Sequence, residues 1–579
     1  MSSFILEKPW DFASLNTLVI EELAKKSGIP DIIAKFLYQR GINTPEAVSQ
    51  HLSPTLKSLS DPWKMKDMDK AVDRLVEAVA RKEQVAVFGD YDVDGITSSA
   101  LIFEFLEDLG LKATVYIPHR EKEGYGLNGE ALRNLASRGY RLLITVDCGI
   151  SDNEAVALAG ELGMDVIITD HHEPPDSLPI ASAVLNPKRP DCAFAFKELA
   201  GVGVAFNLVR ALRHRLYELG HWNGTQIPNL KKYLDFVALG TVADVVPLLG
   251  DNRILVRAGL EILAGCDRPG IKALKALCSL DSGVTSKDIA FRIAPRINAA
   301  GRMAHADKAF KLLVTKDGSK AKQLAAELHL LNQKRQTEEN KILNQALGKI
   351  RLLEKQTAYV LSSPEWKKGV IGIVASRLVE QLHRPVILLS MDGDEAHGSG
   401  RSPEGINLYE SLCACSGHLS SFGGHMAAAG ISLPSDSIEV FCKAFQKVVA
   451  SILEQTDVCP RLMVDCTACI EELIDPGFPR FYEYLEPFGA GYPPPVFAVR
   501  NFSVMRSTVV GNGHLKLSLT PRSGIKNTFN RGSVDLVGWG HGDKIDLPWD
   551  ELELACRPCI NVWQGRKQLE LRLKDIRYR

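Results

Sequence analysis

One stretch constrains this chain more than any other. Residues 85–99 read VAVFGDYDVDGITSS, a four-residue apolar run emptying into three aspartates. An unbroken run of Val85, Ala86, Val87 and Phe88 is what a strand buried on both faces looks like, and such strands belong to parallel sheets. Gly89 and Gly95 flank Asp90, Asp92 and Asp94, so the backbone can turn tightly and aim alternate side chains into one crevice. In open α/β sheets that carboxyl edge is where ligands bind. Clustered carboxylates repel, so a cation is expected among them. The plainer alternative is a solvated Asp-rich turn capping the helix expected over 96–109. An EF-hand does not fit, because no Glu stands at its last ligand position and a strand replaces the entering helix.

The alternation of strand and helix continues downstream. Strands are expected at 114–117, 142–147, 166–170 and 183–185, with helices at 127–137 and 153–162, a pattern that predicts a parallel, doubly wound sheet. The ends of these runs carry the chemistry. One deposits Asp147-Cys148-Gly149, the next Asp170-His171-His172-Glu173, and an apolar helix from Leu234 runs out at Asp244. A lone strand-end Asp reads as a helix cap and a lone His pair as a hydrogen-bonded pair. Four segments converging on one edge read as a metal centre. Carboxylates with imidazole favour manganese or magnesium over zinc, and Cys148 is expected on the other face of its strand.

At 579 residues with a formal net charge of -1, the chain has room for three or four domains and no global basic field to attract nucleic acid. It shows no export signal and no apolar span of bilayer length, so a cytoplasmic protein without membrane contact is expected. Its twelve cysteines then read as reduced thiols. Cys466 with Cys469 and Cys556 with Cys559 could offer four thiolates to zinc, but their separation far exceeds that of a zinc ribbon, and buried thiols are the default. Residues 1–60 read as small helices, with Thr44-Pro45-Glu46 a helix start. Residues 319–347, free of Gly and Pro, predict a long connecting helix without a strict heptad. A second α/β region follows over about 357–453. Short strands after about residue 461 predict a small barrel. Lys516, Arg522, Lys526, Arg531, Arg557, Arg566, Lys567 and Arg572, with Trp539 and Trp563, could track single-stranded DNA there, or form a solvated basic face over core tryptophans.

The motif order DYDVDG, VDCG, TDHH, TVADVVPL resembles the DHH phosphoesterase superfamily. Over nearly its whole length the chain resembles, more narrowly, the RecJ family of bacterial single-strand-specific 5′-to-3′ DNA exonucleases. LAGVGVAF at 199–206, RIAPRINAAGR at 292–302, GSGRS at 398–402 and FGGHMAAAG at 422–430 extend the likeness, the last matching the DHH-associated domain. The resemblance implies a DHH domain over 61–315, a connecting helix over 316–356, a DHH-associated domain over 357–458 and an OB-type barrel over 459–579, after an N-terminal helical segment. It implies two divalent ions, Mn2+ or Mg2+, about 4 Å apart. Asp92 and Asp147 would hold one, and Asp94, Asp147, His171 and Asp244 the other, with Asp90 and His172 auxiliary. Asn298 and His425 would contact the scissile phosphate, and Arg120, Arg302, Ser399 and Arg401 a 5′-terminal phosphate. The implied substrate is single-stranded DNA in recombination and repair, with a single-strand-binding protein and a helicase as candidate partners. The alternative within the superfamily is hydrolysis of cyclic dinucleotides or very short oligonucleotides.

Overall fold

The computed structural model describes residues 9–12, 14–222, 226–280, 283–456, 458–522, 532–563 and 566–578. Its first sheet is built from β1 (Val85–Gly89), β2 (Ala113–Tyr116), β3 (Leu142–Val146), β4 (Asp165–Thr169) and β5 (Ala183–Leu185). All pairs are parallel and the order is β2-β1-β3-β4-β5. Successive side chains face opposite ways along a strand, so each run feeds two cores. Val85, Val87 and Ile144 pack on one face, while Ala86, Phe88 and Leu143 pack on the other with Leu132 and Val156 of the covering helices. Each of the buried Val, Leu, Ile and Phe side chains among them stabilises the fold by about 1.5–3 kcal/mol.

Register decides what stands at the carboxyl edge. Gly89 lies beside Val146, Val146 beside Thr169, and Thr169 beside Leu185. The residues that follow, Asp90, Asp147 and Asp170, therefore leave the sheet in one row. Helix α1 (Val93–Asp108) begins three residues before the apolar periodicity does, because the Asp92 side chain caps it by accepting from the Gly95 N–H at 3.1 Å. Asp94 consequently rides in the first turn. Helices α2 (Gly201–Glu218), α3 (Leu234–Ala243) and α4 (Gly250–Ala264) pack behind α1.

Helix α5 (Ala294–Met303) leads towards α6 (Gly318–Arg351), a single 34-residue helix that joins the first sheet to a second. There β6 (Tyr359–Ser363), β7 (Val386–Asp392), β8 (Glu395–Arg401), β9 (Ser421–Gly424) and β10 (Ala428–Pro434) take the order β9-β10-β8-β7-β6. The third sheet holds β11 (Cys466–Cys469), β12 (Phe497–Arg500), β13 (Phe502–Val510), β14 (His514–Pro521), β15 (Val534–Gly538), β16 (Leu552–Trp563) and β17 (Arg566–Tyr578), ordered β11-β12-β16-β17-β15-β14-β13. Cys466 and Cys556 flank Phe497 on neighbouring strands and are buried, and burial raises both thiols, so the structure presents them as core residues.

The N-terminal helices are not a separate unit. Ile20, Leu23, Phe36 and Leu37 share one core with Phe478, Phe497, Leu517 and Leu554, and Trp10–Phe12 pairs in parallel with Leu462–Val464. Among the described residues no helix is long and apolar enough to cross a membrane.

Candidate metal centre

The edge of the first sheet gathers three overlapping sets of ligand atoms, each within 4.8 Å: Asp90, Asp92 and Asp147; Asp94, His171 and Asp244; and Asp147, His171 and His172. Every residue that the sequence assigned to the metal ions, with the auxiliary Asp90 and His172, is present in them. His171 Nε2 lies 3.1 Å from Asp147 Oδ1 and 3.5 Å from Asp244 Oδ2. Those three atoms and Asp90 Oδ1 are buried, yet none has a hydrogen-bond partner among the described residues. Buried polar atoms are normally paired, so four orphans in one cluster mark a place for a cation. Oxygen donors with one imidazole match the preferences of Mn2+ and Mg2+, and Cys148 is packed into the opposite core.

Charge repulsion supports the same reading. Burial pushes the Asp94 carboxyl well above the usual range, with Asp244 and Asp92 adding to it. Asp147 is raised by burial, then by Asp94 and Asp92, and Asp244 is raised to about 7 by burial and Asp92. His171 is drawn down to about 3 by burial and by His172, which leaves its imidazole neutral and able to donate a lone pair.

Backbone strain and close packing hold these groups in place. Asp147 sits at φ 61° and Val245, directly after Asp244, at φ 65°. Left-handed conformations cost about 1–3 kcal/mol in residues other than glycine and collect at functional sites. Asp94 accepts from the backbone N–H groups of Gly201 (2.6 Å) and Val202 (2.9 Å) at the start of α2, an electropositive end suited to a carboxylate. Only glycine fits at position 201, since a Cβ there would stand 2.7 Å from Asp147 Oδ1. The LAGVGVAF motif is thus part of the centre.

Two further residues had no role assigned from the sequence, Asp170 being named there only as part of its strand-end run. Asp170, fully buried, accepts from the N–H groups of Ile150 (3.0 Å), His171 (2.7 Å) and His172 (3.1 Å) and pairs with His172 Nδ1 at 2.7 Å. The adjoining DHH letters were its only signal. Tyr125 donates its hydroxyl to the Asp147 carbonyl at 3.1 Å, and nothing local to the sequence marks it.

The arginines assigned to a terminal phosphate form their own cluster. Arg120 lies over the Tyr91 ring, 4.9 Å from its centre, and Tyr91 stands between Asp90 and Asp92. Burial, then Arg120 and Arg335, pull the Arg302 guanidinium down to about 10, and burial and Arg120 lower that of Arg401. Arg401 donates to Ser399 Oγ at 3.0 Å. Asn298 lies on α5, whose Gly301 abuts the Tyr91 carbonyl so closely that a Cβ would stand 2.7 Å away. His425 is exposed in the turn between β9 and β10, outside the acidic sets.

Four described residues of the expected basic track in the C-terminal sheet are paired with acids. Lys516 pairs with Asp535, Arg522 with Asp550, Lys567 with Glu483 and Arg572 with Glu570. Arg557 is part-buried, and Trp539 is exposed beside His514. Lys526, Arg531 and the side chains of Trp563 and Arg566 lie outside the described residues.

An acidic and imidazole cluster on the carboxyl edge of a parallel sheet, with an arginine cluster beside it, defines a metal-dependent phosphoesterase. Family models agree: the DHH family N-terminal domain matches residues 84–241, the DHHA1 domain 354–451 and the RecJ OB domain 464–575. The single-stranded-DNA-specific exonuclease RecJ of Escherichia coli (strain K12) is 37% identical over 95% of this chain and 96% of its own length. That of Bacillus subtilis (strain 168) is 36% identical over 98% of this chain and 70% of its own. The crystal structure of RecJ from Thermus thermophilus in complex with Mn2+ superposes with a TM-score of 0.82 at 32% identity, covering 99% of this chain and 80% of that one. The chain belongs to the RecJ family. Full-length likeness to single-strand-specific exonucleases does not favour the small-substrate alternative.

Proposed function

We propose that this protein removes 5′-mononucleotides from the 5′ end of single-stranded DNA by metal-assisted phosphodiester hydrolysis, in recombination and repair. The observation that carries the reading is the set of four buried, unpartnered ligand atoms from Asp90, Asp147, His171 and Asp244. Asp92 and Asp147 would hold one Mn2+ or Mg2+ ion, and Asp94, Asp147, His171 and Asp244 the other, with Asp147 shared. Bound there, the ions supply Lewis acidity and lower the pKa of a water nucleophile. The chain's own residues do the positioning. The N-terminus of α2 fixes Asp94, and Asp170 fixes His172 and the turn bearing His171. Asp90 and His172 adjust the charge around the ligands. Arg120, Arg302, Ser399 and Arg401 take the 5′-terminal phosphate, since guanidinium forks grip phosphate bidentately, and Asn298 and His425 take the scissile one.

The working division is an N-terminal helical segment over 1–60, a catalytic unit over 61–315, a connecting helix over 316–356, a DHH-associated domain over 357–458 and an OB-type domain over 459–579, whose core takes in Ile20, Phe36 and Leu37. The place of action is the cytoplasm, with a single-strand-binding protein and a helicase as candidate partners. The test uses 5′-phosphorylated single strands, duplexes and dinucleotides, each with and without Mn2+. Release of mononucleotides from the single strand, and only with metal, is expected. Turnover confined to dinucleotides, or unaffected by chelation, overturns the reading.

A further inference from the structure

The turn that follows Asp244 is held by residues from the far end of the sequence. After Asp244 caps the end of α3, the chain passes through Val245 at φ 65° before Pro247 and Leu248 lead to α4. A β-branched residue resists that conformation, so its surroundings must impose it. Segment 484–492, YLEPFGAGY, packs against the residues that follow Val245. The Leu248 N–H donates to the Ala490 carbonyl at 2.8 Å. Gly489 and Gly491 lie so close that a Cβ would stand 2.6 Å from Leu248 Cδ1 or 2.8 Å from Pro247 Cβ. Arg253 of α4, 3% exposed, donates to the carbonyls of Leu485 (2.9 Å), Glu486 (3.1 Å) and Pro487 (3.0 Å), and through Nε to that of His51 (3.3 Å). Its guanidinium lies 4.9 Å from the centre of the Tyr492 ring. Among the described residues no carboxylate forms an ion pair with it. A buried cation committed to loop carbonyls is costly to desolvate, so its worth lies in the geometry it fixes.

We propose that segment 484–492 and Arg253 form a positioning clamp for Asp244, through which the C-terminal domain sets the metal affinity of the centre. The proposal rests on Asp244 being a ligand, as read above. Arg253 itself is a positioning residue.

The test measures Mn2+ binding to the full chain by calorimetry without DNA, for the unmodified protein, Arg253→Met, Gly489→Ala, Asp244→Asn and the double variant Arg253→Met/Asp244→Asn, with melting curves for each. The unmodified protein should bind two ions. Arg253→Met and Gly489→Ala should weaken one of them about tenfold, the effect typical of residues that orient ligands, and turnover should recover at raised Mn2+. In the Asp244→Asn background the Arg253→Met change should add nothing, because both act through one ligand. An unmodified protein that binds no Mn2+ defeats the ligand reading. Clamp variants that fold and bind both ions as tightly as the unmodified protein defeat the clamp alone, as does a further loss in the double variant. If Arg253→Met fails to fold, Gly489→Ala carries the test, since its methyl meets the flexible end of Leu248.

Discussion

Asp170→Asn isolates a residue that touches two histidines of the centre and lies outside the ligand sets. Burial pushes the Asp170 carboxyl up, but the hydrogen bond and charge of His172 outweigh it and hold it below the ordinary range, so the group is an anion. One carboxylate oxygen receives three donors, from His171 N, His172 N and His172 Nδ1, and the other receives Ile150 N. Asparagine can keep its carbonyl towards the three, and its amide then confronts the Ile150 N–H. An unsatisfied buried N–H costs about 1–3 kcal/mol, and each of the three remaining bonds weakens by roughly 1 kcal/mol when its acceptor loses charge. Relief of the buried charge offsets part of this, leaving a loss of about 3 kcal/mol. Urea unfolding in EDTA reads that loss, and a Mn2+ titration of hydrolysis reads the accompanying shift to higher metal, about tenfold or more for a group that orients a ligand. An Asp170→Asn protein with unchanged stability and unchanged metal dependence would refute both the hydrogen-bond accounting and the positioning role.

Asp147→Asn should abolish turnover while stabilising the metal-free chain by about 1 kcal/mol, since asparagine tolerates φ 61° and removes a repelling charge. Melting in EDTA checks the second part, and retained turnover in Mn2+ sinks the shared-ligand assignment. His51 predicts an acid-sensitive clamp: burial, then Arg253 and Arg257, lower its imidazole from 6.5 to about 3. The unfolded imidazole takes its proton first, so this contribution is complete above about pH 6.5 and shrinks as pH falls, by about 2 kcal/mol at pH 5. Replacing His51 with Gln should flatten that slope between pH 6.5 and 5, and an unchanged slope refutes it.

What the sequence reveals here depends on how local the cause is. The buried runs at 85–89, 142–146 and 165–169 declare themselves through side-chain period and composition, and their shared register follows from parallel pairing, so the row Asp90, Asp147, Asp170 is nearly legible before any coordinates. The early start of α1 is not, because Asp92 is both ligand-type and cap, and the apolar periodicity begins only where the helix already faces the core. The docking of residues 20–37 on Phe478 and Leu554 lies further beyond reach, since more than 400 positions separate the partners and no pattern within either segment names the other. The pairing of Lys516, Arg522 and Lys567 is out of reach for the same reason: their charge is visible, and Asp535, Asp550 and Glu483 come from other strands and loops.

The centre itself is distinguished by broken local rules. Residue type nominates Asp147 and Asp244, and an Asp at a strand end or helix end is ordinary in any α/β protein. What separates them from caps is a left-handed Asp147, a left-handed Val245 beside Asp244, and four buried atoms without partners, all within one cluster. A chain optimised for stability alone would have relaxed each of these, with glycine at 245 or an amide among the carboxylates. Their persistence together requires something that rewards the arrangement as a whole, and a pair of cations bound by the same atoms is the simplest agent that does.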